Sequence, residues 1–261
     1  MLPDYHIHTR YADGADTPER MVLAALEAGL PELGFSEHAY VSFDPSCCMT
    51  PAQTLEYRQE IARLKAAYAG QLRILCGIEM DYDAEDDPAA YDYVIGSVHY
   101  LEVKGQIYSV DLSPEETLRC IAEGFGGDCD SYTEAYFDKV SRLPEKTHAN
   151  IIGHFDLITK FDRRGAAMNT DSPRYRAAWQ AALRRLAGRA LLEINTGAMS
   201  RGYTDRPYPS AEMLRFWTGL GGSVLLSSDA HAPQNIGYAF PEAEALAMQQ
   251  GCRLLKRLNT I

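Results

Sequence analysis

Ser223-Val224-Leu225-Leu226-Ser227-Ser228-Asp229-Ala230-His231 decides how this chain is read. Its first half has the length and composition of one buried strand, and it stops abruptly on a carboxylate and an imidazole. The same layout recurs upstream. Asp4-Tyr5-His6-Ile7-His8 ends on two histidines, and Glu32-Leu33-Gly34-Phe35-Ser36 runs to His38. Arg73 to Ile78 stops at Glu79, Tyr93 to Val98 at His99, Ile151-Ile152-Gly153 at His154, and Ala190 to Ile194 at Asn195. Helical patterns separate these runs. Thr17-Pro18-Glu19 opens one helix, which carries Met21, Val22, Ala25 and Leu26 on a face and stops at Gly29; Thr50-Pro51 opens another that closes at Gly70. Ser113-Pro114-Glu115-Glu116 reads as a capping box, and a further helix runs from Arg176 to Leu186.

Strands alternating with helices fit either an α/β barrel or an open parallel sheet. In a barrel every strand delivers its C-terminal end to one mouth, whereas an open sheet gathers ligands at one switch point. Polar residues end all seven runs, which predicts a seven-stranded barrel formed as one domain over residues 1–261.

Six of the seven histidines (His6, His8, His38, His99, His154 and His231) fall at or just beyond a strand end, and only His148 lies elsewhere. One such imidazole reads as a structural residue. Six at one mouth would leave many unmet donors and acceptors unless they hold metal. In His6-Ile7-His8 the two rings, two residues apart on a strand, share a face, and Asp229-Ala230-His231 repeats the device. Histidines mixed with carboxylates suit zinc, manganese or iron, and no cysteine occupies these positions.

The chain has 261 residues, 46% hydrophobic and 23% charged, with a net charge of −11. That balance opposes nucleic-acid backbone or anionic membrane as a partner and allows a small anionic substrate at a locally positive site. No run approaches a membrane span and no signal-peptide layout opens the chain, so a cytoplasmic enzyme is expected. Cys47-Cys48, Cys76, Cys120, Cys129 and Cys252 lack metal-ribbon spacing and read as free thiols.

The motifs His6-Ile7-His8-Thr9 with Asp13-Gly14, Gly34 to His38, Gly77 to Tyr82, Asp92 to Tyr100, Ile152 to Leu157, Glu193 to Thr196 and Ser227 to His231 resemble the polymerase-and-histidinol-phosphatase (PHP) family, most closely its monofunctional histidinol-phosphate phosphatases. The resemblance implies a distorted (β/α)7 barrel and a site for three divalent ions. It implies metal ligands at His6, His8, Asp13, His38, Glu79, His99, His154, Asp229 and His231. Asp13 stands where many relatives carry histidine, and Asp16 is its rival. The implied reaction is hydrolysis of L-histidinol phosphate, by in-line attack of a metal-bridging hydroxide held among His6, His8, Glu79 and Asp229. Three such ions, three carboxylates and a hydroxide leave the mouth at about +2, complementary to a phosphomonoester.

Arg201, Lys160, Arg163 and Arg10 are the candidates for holding phosphate. Asp81 and Asp83 either meet a cationic substrate end or begin a solvated acidic loop continuing through Glu85-Asp86-Asp87. Tyr100, Tyr108, Tyr132 and Tyr136 read as packing or hairpin residues. Other readings are a phosphotyrosine-protein or nucleotide phosphatase, a metal-dependent amidohydrolase, and a non-catalytic metal-binding protein.

Overall fold

A computed structural model describes residues 1–258. One parallel sheet contains β1 (Glu32–Phe35), β2 (Arg73–Asp81), β3 (Tyr93–Ser97), β6 (Ile151–Ile152), β7 (Leu191–Asn195), β8 (Ser223–Ser227) and β9 (Arg253–Leu254), paired in that order. Between β3 and β6 the chain forms an antiparallel hairpin, β4 (Tyr100–Val103) and β5 (Gln106–Ser109).

The sheet closes through the N-terminal segment. Gly34 N–H donates to Asp4 O at 2.8 Å and Ser36 N–H to Ile7 O at 2.9 Å, while His8 N–H reaches Ala230 O at 2.9 Å. Residues 4–8 therefore lie between β1 and the chain leaving β8, and with β1, β2, β3, β6, β7 and β8 they complete a seven-membered α/β barrel. The expected first strand is nonetheless not a continuous ladder. It makes one bridge to each neighbour, and side chains replace backbone partners: Ile7 N–H bonds Ser36 Oγ, and the Asp4 carboxylate accepts from Ser228 N–H and Oγ–H. The short strand β9, which sequence patterning does not reveal, pairs with the start of β8.

Helices cover the outside. Thr17 caps α1 (Pro18–Glu27), which buries Met21, Val22 and Ala25, and a Thr50–Gln53 capping box starts α2 (Pro51–Ala67). Ser113 caps α3 (Pro114–Arg119) through Glu116 N–H, and one π-type turn over Cys120–Gly124 follows. The helices α4 (Cys129–Ser141) and α6 (Pro173–Leu186) pack on each other, and α5 (Leu143–Thr147) lies against β3. Tyr100 and Tyr108 lie on the hairpin and Tyr132 and Tyr136 on α4, all buried. No helix among the described residues is long and apolar enough to cross a membrane.

The barrel end opposite the mouth is plugged by Tyr5, Leu75, Tyr93, Ile95, Ile151 and Leu225. Tyr93 crosses the interior and donates its hydroxyl to Tyr5 O at 2.6 Å and Phe35 O at 2.9 Å. Room for its ring comes from Gly34 and Gly77, where an added Cβ would lie 2.3 Å and 2.2 Å from Tyr93 atoms. Gly77→Ala is expected to lower unfolding stability by about 2–3 kcal/mol through overpacking of this plug. Gly219→Ala, whose new Cβ meets nothing within 4 Å, should be neutral or stabilise by up to about 1 kcal/mol. Denaturant midpoints of the two variants check the contrast.

Candidate metal centre

The C-terminal ends of the barrel strands converge on one cavity of 370 Å³. The segment 4–8 carries His6 and His8 inward on the same face, and both are fully buried. Glu79 rises from β2 between them: its Oε2 is 3.2 Å from His6 Nε2 and 3.4 Å from His8 Nε2. Asp229 closes the set, with Oδ1 at 3.9 Å and 3.5 Å from the same nitrogens. Four ligands about 2.1 Å from a tetrahedral ion stand about 3.4 Å apart, so this is the spacing of a metal shell.

Two further groups adjoin the first, one sharing Glu79 with it and the other His8. Glu79 Oε1 lies 3.0 Å from His154 Nε2 and 3.7 Å from His99 Nε2, and His38 Nδ1 is 3.0 Å from Glu79 Oε2. Nearer the rim, Asp13 Oδ2 is 3.2 Å from His231 Nε2 and 3.8 Å from His38 Nε2. The His8 ring is stacked between those of His38 and His231 at 4.4 and 4.3 Å. His6 Nε2, both nitrogens of His8 and Glu79 Oε2 are buried and have no hydrogen-bond partner. Unpartnered buried atoms of this kind are costly, and a divalent cation set among them satisfies His6 Nε2, His8 Nε2 and Glu79 Oε2 together, while His8 Nδ1 faces Asp13 Oδ1 at 3.7 Å. The residues fit a metal.

The charges are interlocked. Burial favours neutral His6, but the carboxylates of Glu193, Glu79 and Asp229 outweigh it and raise its pKa well above the ordinary imidazole value. Burial and the neighbouring His231 and His38 rings push His8 the other way, well below that value. Burial opposes ionisation of Glu79 and Asp229; His6 and His38 around the first, and Arg201 beside the second, hold both well below the usual carboxylate range. Asp229 adopts a left-handed backbone, φ 49°, and the Cβ that Gly197 lacks would come within 2.7 Å of it.

All nine residues proposed as ligands from sequence meet here. Asp16 does not: its carboxylate accepts from Thr17 N–H, and Asp13 is the carboxylate beside His8, His38 and His231. Arg201 lines the cavity, donating to Asp229 O at 2.9 Å and to Asp229 Oδ2 at 3.1 Å. Lys160 also lines it and bonds Asp111 O and Oδ2. Two of the expected phosphate ligands are corrected. Arg163 is exposed and paired with Asp205, and Arg10 is exposed on the loop after His8; neither borders the cavity. Asp81 is not part of a solvated loop, because β2 runs on through it; it is buried and accepts from His99 N–H at 2.7 Å. Asp83 pairs with Lys139. His148 is exposed at the C-terminus of α5, away from the cavity. All six cysteines are free, and Cys47 and Cys48 border the cavity, Cys47 Sγ lying 3.6 Å from Tyr100 Oη.

Sequence reading passed over Glu193, which holds His6 Nδ1 at 2.9 Å, and Ser97, which donates to Glu79 at 2.5 Å. A glutamate inside Leu191-Leu192-Glu193-Ile194 was the available signal, since an apolar strand buries a carboxylate only against partners.

Comparison with known proteins places this architecture. The PHP domain family matches residues 4–197. The chain belongs to the PHP family. Among relatives of this PHP protein, the probable histidinol-phosphatase of Deinococcus radiodurans is 32% identical over 254 residues, spanning 93% of this chain and 91% of that one. The histidinol-phosphatase of Bacillus subtilis is 28% identical over 260 residues, 91% of this chain and 96% of that one. The solved structure of histidinol phosphate phosphatase from Lactococcus lactis, complexed with zinc, L-histidinol and phosphate, superposes with TM-score 0.72 at 26% identity, covering 97% and 95% of the two chains. A Listeria monocytogenes structure, 24% identical, shares the fold at TM-score 0.81 over 92% of this chain and 99% of its own.

Divalent metal binding to this PHP protein has a direct thermal readout, because a ligand specific to the folded state raises the unfolding midpoint. Zinc or manganese added to chelator-stripped protein should raise it by several degrees. The rise should shrink in His8→Ala and persist unchanged in His148→Ala, as followed by differential scanning calorimetry.

Proposed function

We propose that this PHP protein is a metal-dependent phosphomonoesterase that hydrolyses L-histidinol phosphate to L-histidinol and phosphate. The observation that carries the reading is the placement of a buried, unpartnered His and carboxylate array on the floor of a cavity whose wall presents Arg201 and Lys160. The full-length kinship with histidinol-phosphatases selects the substrate.

Three divalent ions are proposed: one held by His6, His8, Glu79 and Asp229, a second by Glu79, His99 and His154, and a third by Asp13, His38 and His231. Such ions supply a water of lowered pKa as nucleophile and neutralise charge on the phosphoryl oxygens and the departing alkoxide. The protein's own groups orient the ester. Arg201 spends part of its five-donor fork on Asp229, leaving N–H groups to meet phosphoryl oxygens. The Lys160 ammonium adds a positive charge on the same wall, fixed by Asp111. Burial opposes ionisation of Asp111, but Lys160 and His99 bring its pKa down to about 2, so it stays an anion. Asp44, which accepts from Tyr100 Oη at 2.7 Å, gives the lining a carboxylate apart from the Lys160 pair, suited to the ammonium or imidazole of the substrate.

The deciding experiment is a phosphomonoester screen with purified, metal-loaded protein. L-Histidinol phosphate is expected to be hydrolysed with a kcat/KM far above that of sugar phosphates, nucleotides, phosphotyrosine peptide or p-nitrophenyl phosphate. No preference among them would overturn the substrate, and no phosphate release from any of them would overturn the reaction. Replacing Arg201 by Ala should lower kcat/KM by roughly 30- to 1,000-fold and weaken inhibition by inorganic phosphate, with Arg201→Lys recovering part of the loss. A change below about threefold in both quantities would remove Arg201 from phosphate binding.

A further inference from the structure

Glu193 lies in the middle of β7 with no exposed surface and does not border the cavity. It meets neither solvent nor substrate, yet both of its oxygens serve the site. Oε2 is 2.9 Å from His6 Nδ1, and Oε1 accepts from His154 N–H and from Asn195 Nδ2, each at 2.7 Å. Asn195 in turn reaches Asp229 Oδ2 at 3.4 Å and accepts from Gly197 N–H. One carboxylate thus touches the ring of one candidate ligand, the main chain of another and, through an amide, a third.

An ionised carboxylate only accepts hydrogen bonds. The His6 ring facing it must donate from Nδ1, so the neutral ring, the form that binds a cation, carries its lone pair on Nε2, the unpartnered nitrogen beside Glu79. We propose that Glu193 is the positioning residue that fixes His6 as its Nδ1–H tautomer and so makes Nε2 a metal ligand. This rests on the reading of His6 as a ligand.

Glutamine at 193 has nearly the same shape and the wrong chemistry. Its oxygen is claimed by His154 N–H and Asn195, so its amide N–H turns toward His6 Nδ1. The ring then accepts at Nδ1 and carries its proton on Nε2, where it blocks the metal. The loss should be confined to the ion bound by His6.

The test compares wild type, Glu193→Gln, Glu193→Asp, His6→Ala and the Glu193→Gln/His6→Ala double variant. Each is stripped with chelator and titrated with zinc against a chromophoric competitor, with elemental analysis of the loaded protein. Glu193→Gln should weaken one ion about 10- to 100-fold and leave the others as in wild type. Glu193→Asp, which keeps an anionic acceptor, should recover part of that loss. In the His6→Ala background, Glu193→Gln should remove no further metal. Wild-type affinity for every ion in Glu193→Gln, or an equal loss in both backgrounds, overturns the role of Glu193 while leaving His6 as a ligand. Full metal content in His6→Ala overturns the ligand reading itself. Should Glu193→Gln not fold, 15N–1H correlation of the histidine rings in zinc-loaded wild type decides: His6 protonated at Nδ1 supports the inference, and His6 protonated at Nε2 overturns it.

Discussion

The insertion of residues 4–8 between β1 and the chain leaving β8 is the constraint on which the rest depends. Without it the sheet would be open, and His6 and His8 would stand far from Asp229 and His231. The hydrogen bonds of His8 N–H to Ala230 O and of Ala230 N–H to His6 O lock the first and last ligand motifs side by side. Backbone register, set by polar main-chain groups that must all be paired, thereby becomes ligand geometry. The Asp4 carboxylate, shared among Ser228 and Gly237 main-chain donors and the Ser228 hydroxyl, adds a side-chain clasp at the same seam.

Closure brings an electrostatic problem with it. Imidazoles and carboxylates packed at 3–4 Å in a water-poor interior cannot all be satisfied by one another, and buried atoms of His6, His8 and Glu79 are left without a hydrogen-bond partner. Carboxylates raise the His6 pKa against the effect of burial, whereas burial and two neighbouring imidazoles together lower that of His8. Cations resolve the conflict by giving each lone pair a partner. The protein then needs outer contacts to aim those lone pairs, and Glu193, Ser97 and Asp81 each hold a candidate ligand from behind.

Much of this was legible in the sequence because strand ends are marked by abrupt changes from apolar to polar residues. The mouth-facing set emerged from that rule, and so did the barrel. What stayed hidden depends on contacts distant in the chain. Arg163 and Arg10 follow strand ends as Lys160 does, but their side chains turn to the surface, a choice that local sequence does not encode. Asp81 looked like loop because acidic residues follow it, whereas its pairing with Ser97 on β3 extends β2 past Glu79. The Asp111–Lys160 pair joins the hairpin connection to the turn after β6 across 49 residues. β9 is two residues long, too short for any periodicity.

Asp229 illustrates how such a site resists sequence drift. Its left-handed backbone is open mainly to glycine, asparagine and aspartate, while its place between His6, His8 and Arg201 asks for a negative charge. Glutamate meets the second demand and fails the first; asparagine and glycine do the reverse. No single exchange among these neighbours leads away from aspartate without breaking one requirement. Gly197 narrows the route further, since any side chain there would press on the same carboxylate. Position 229 is thus held twice over, by a backbone angle and by a charge, and the bare glycine at 197 is the space its carboxylate needs.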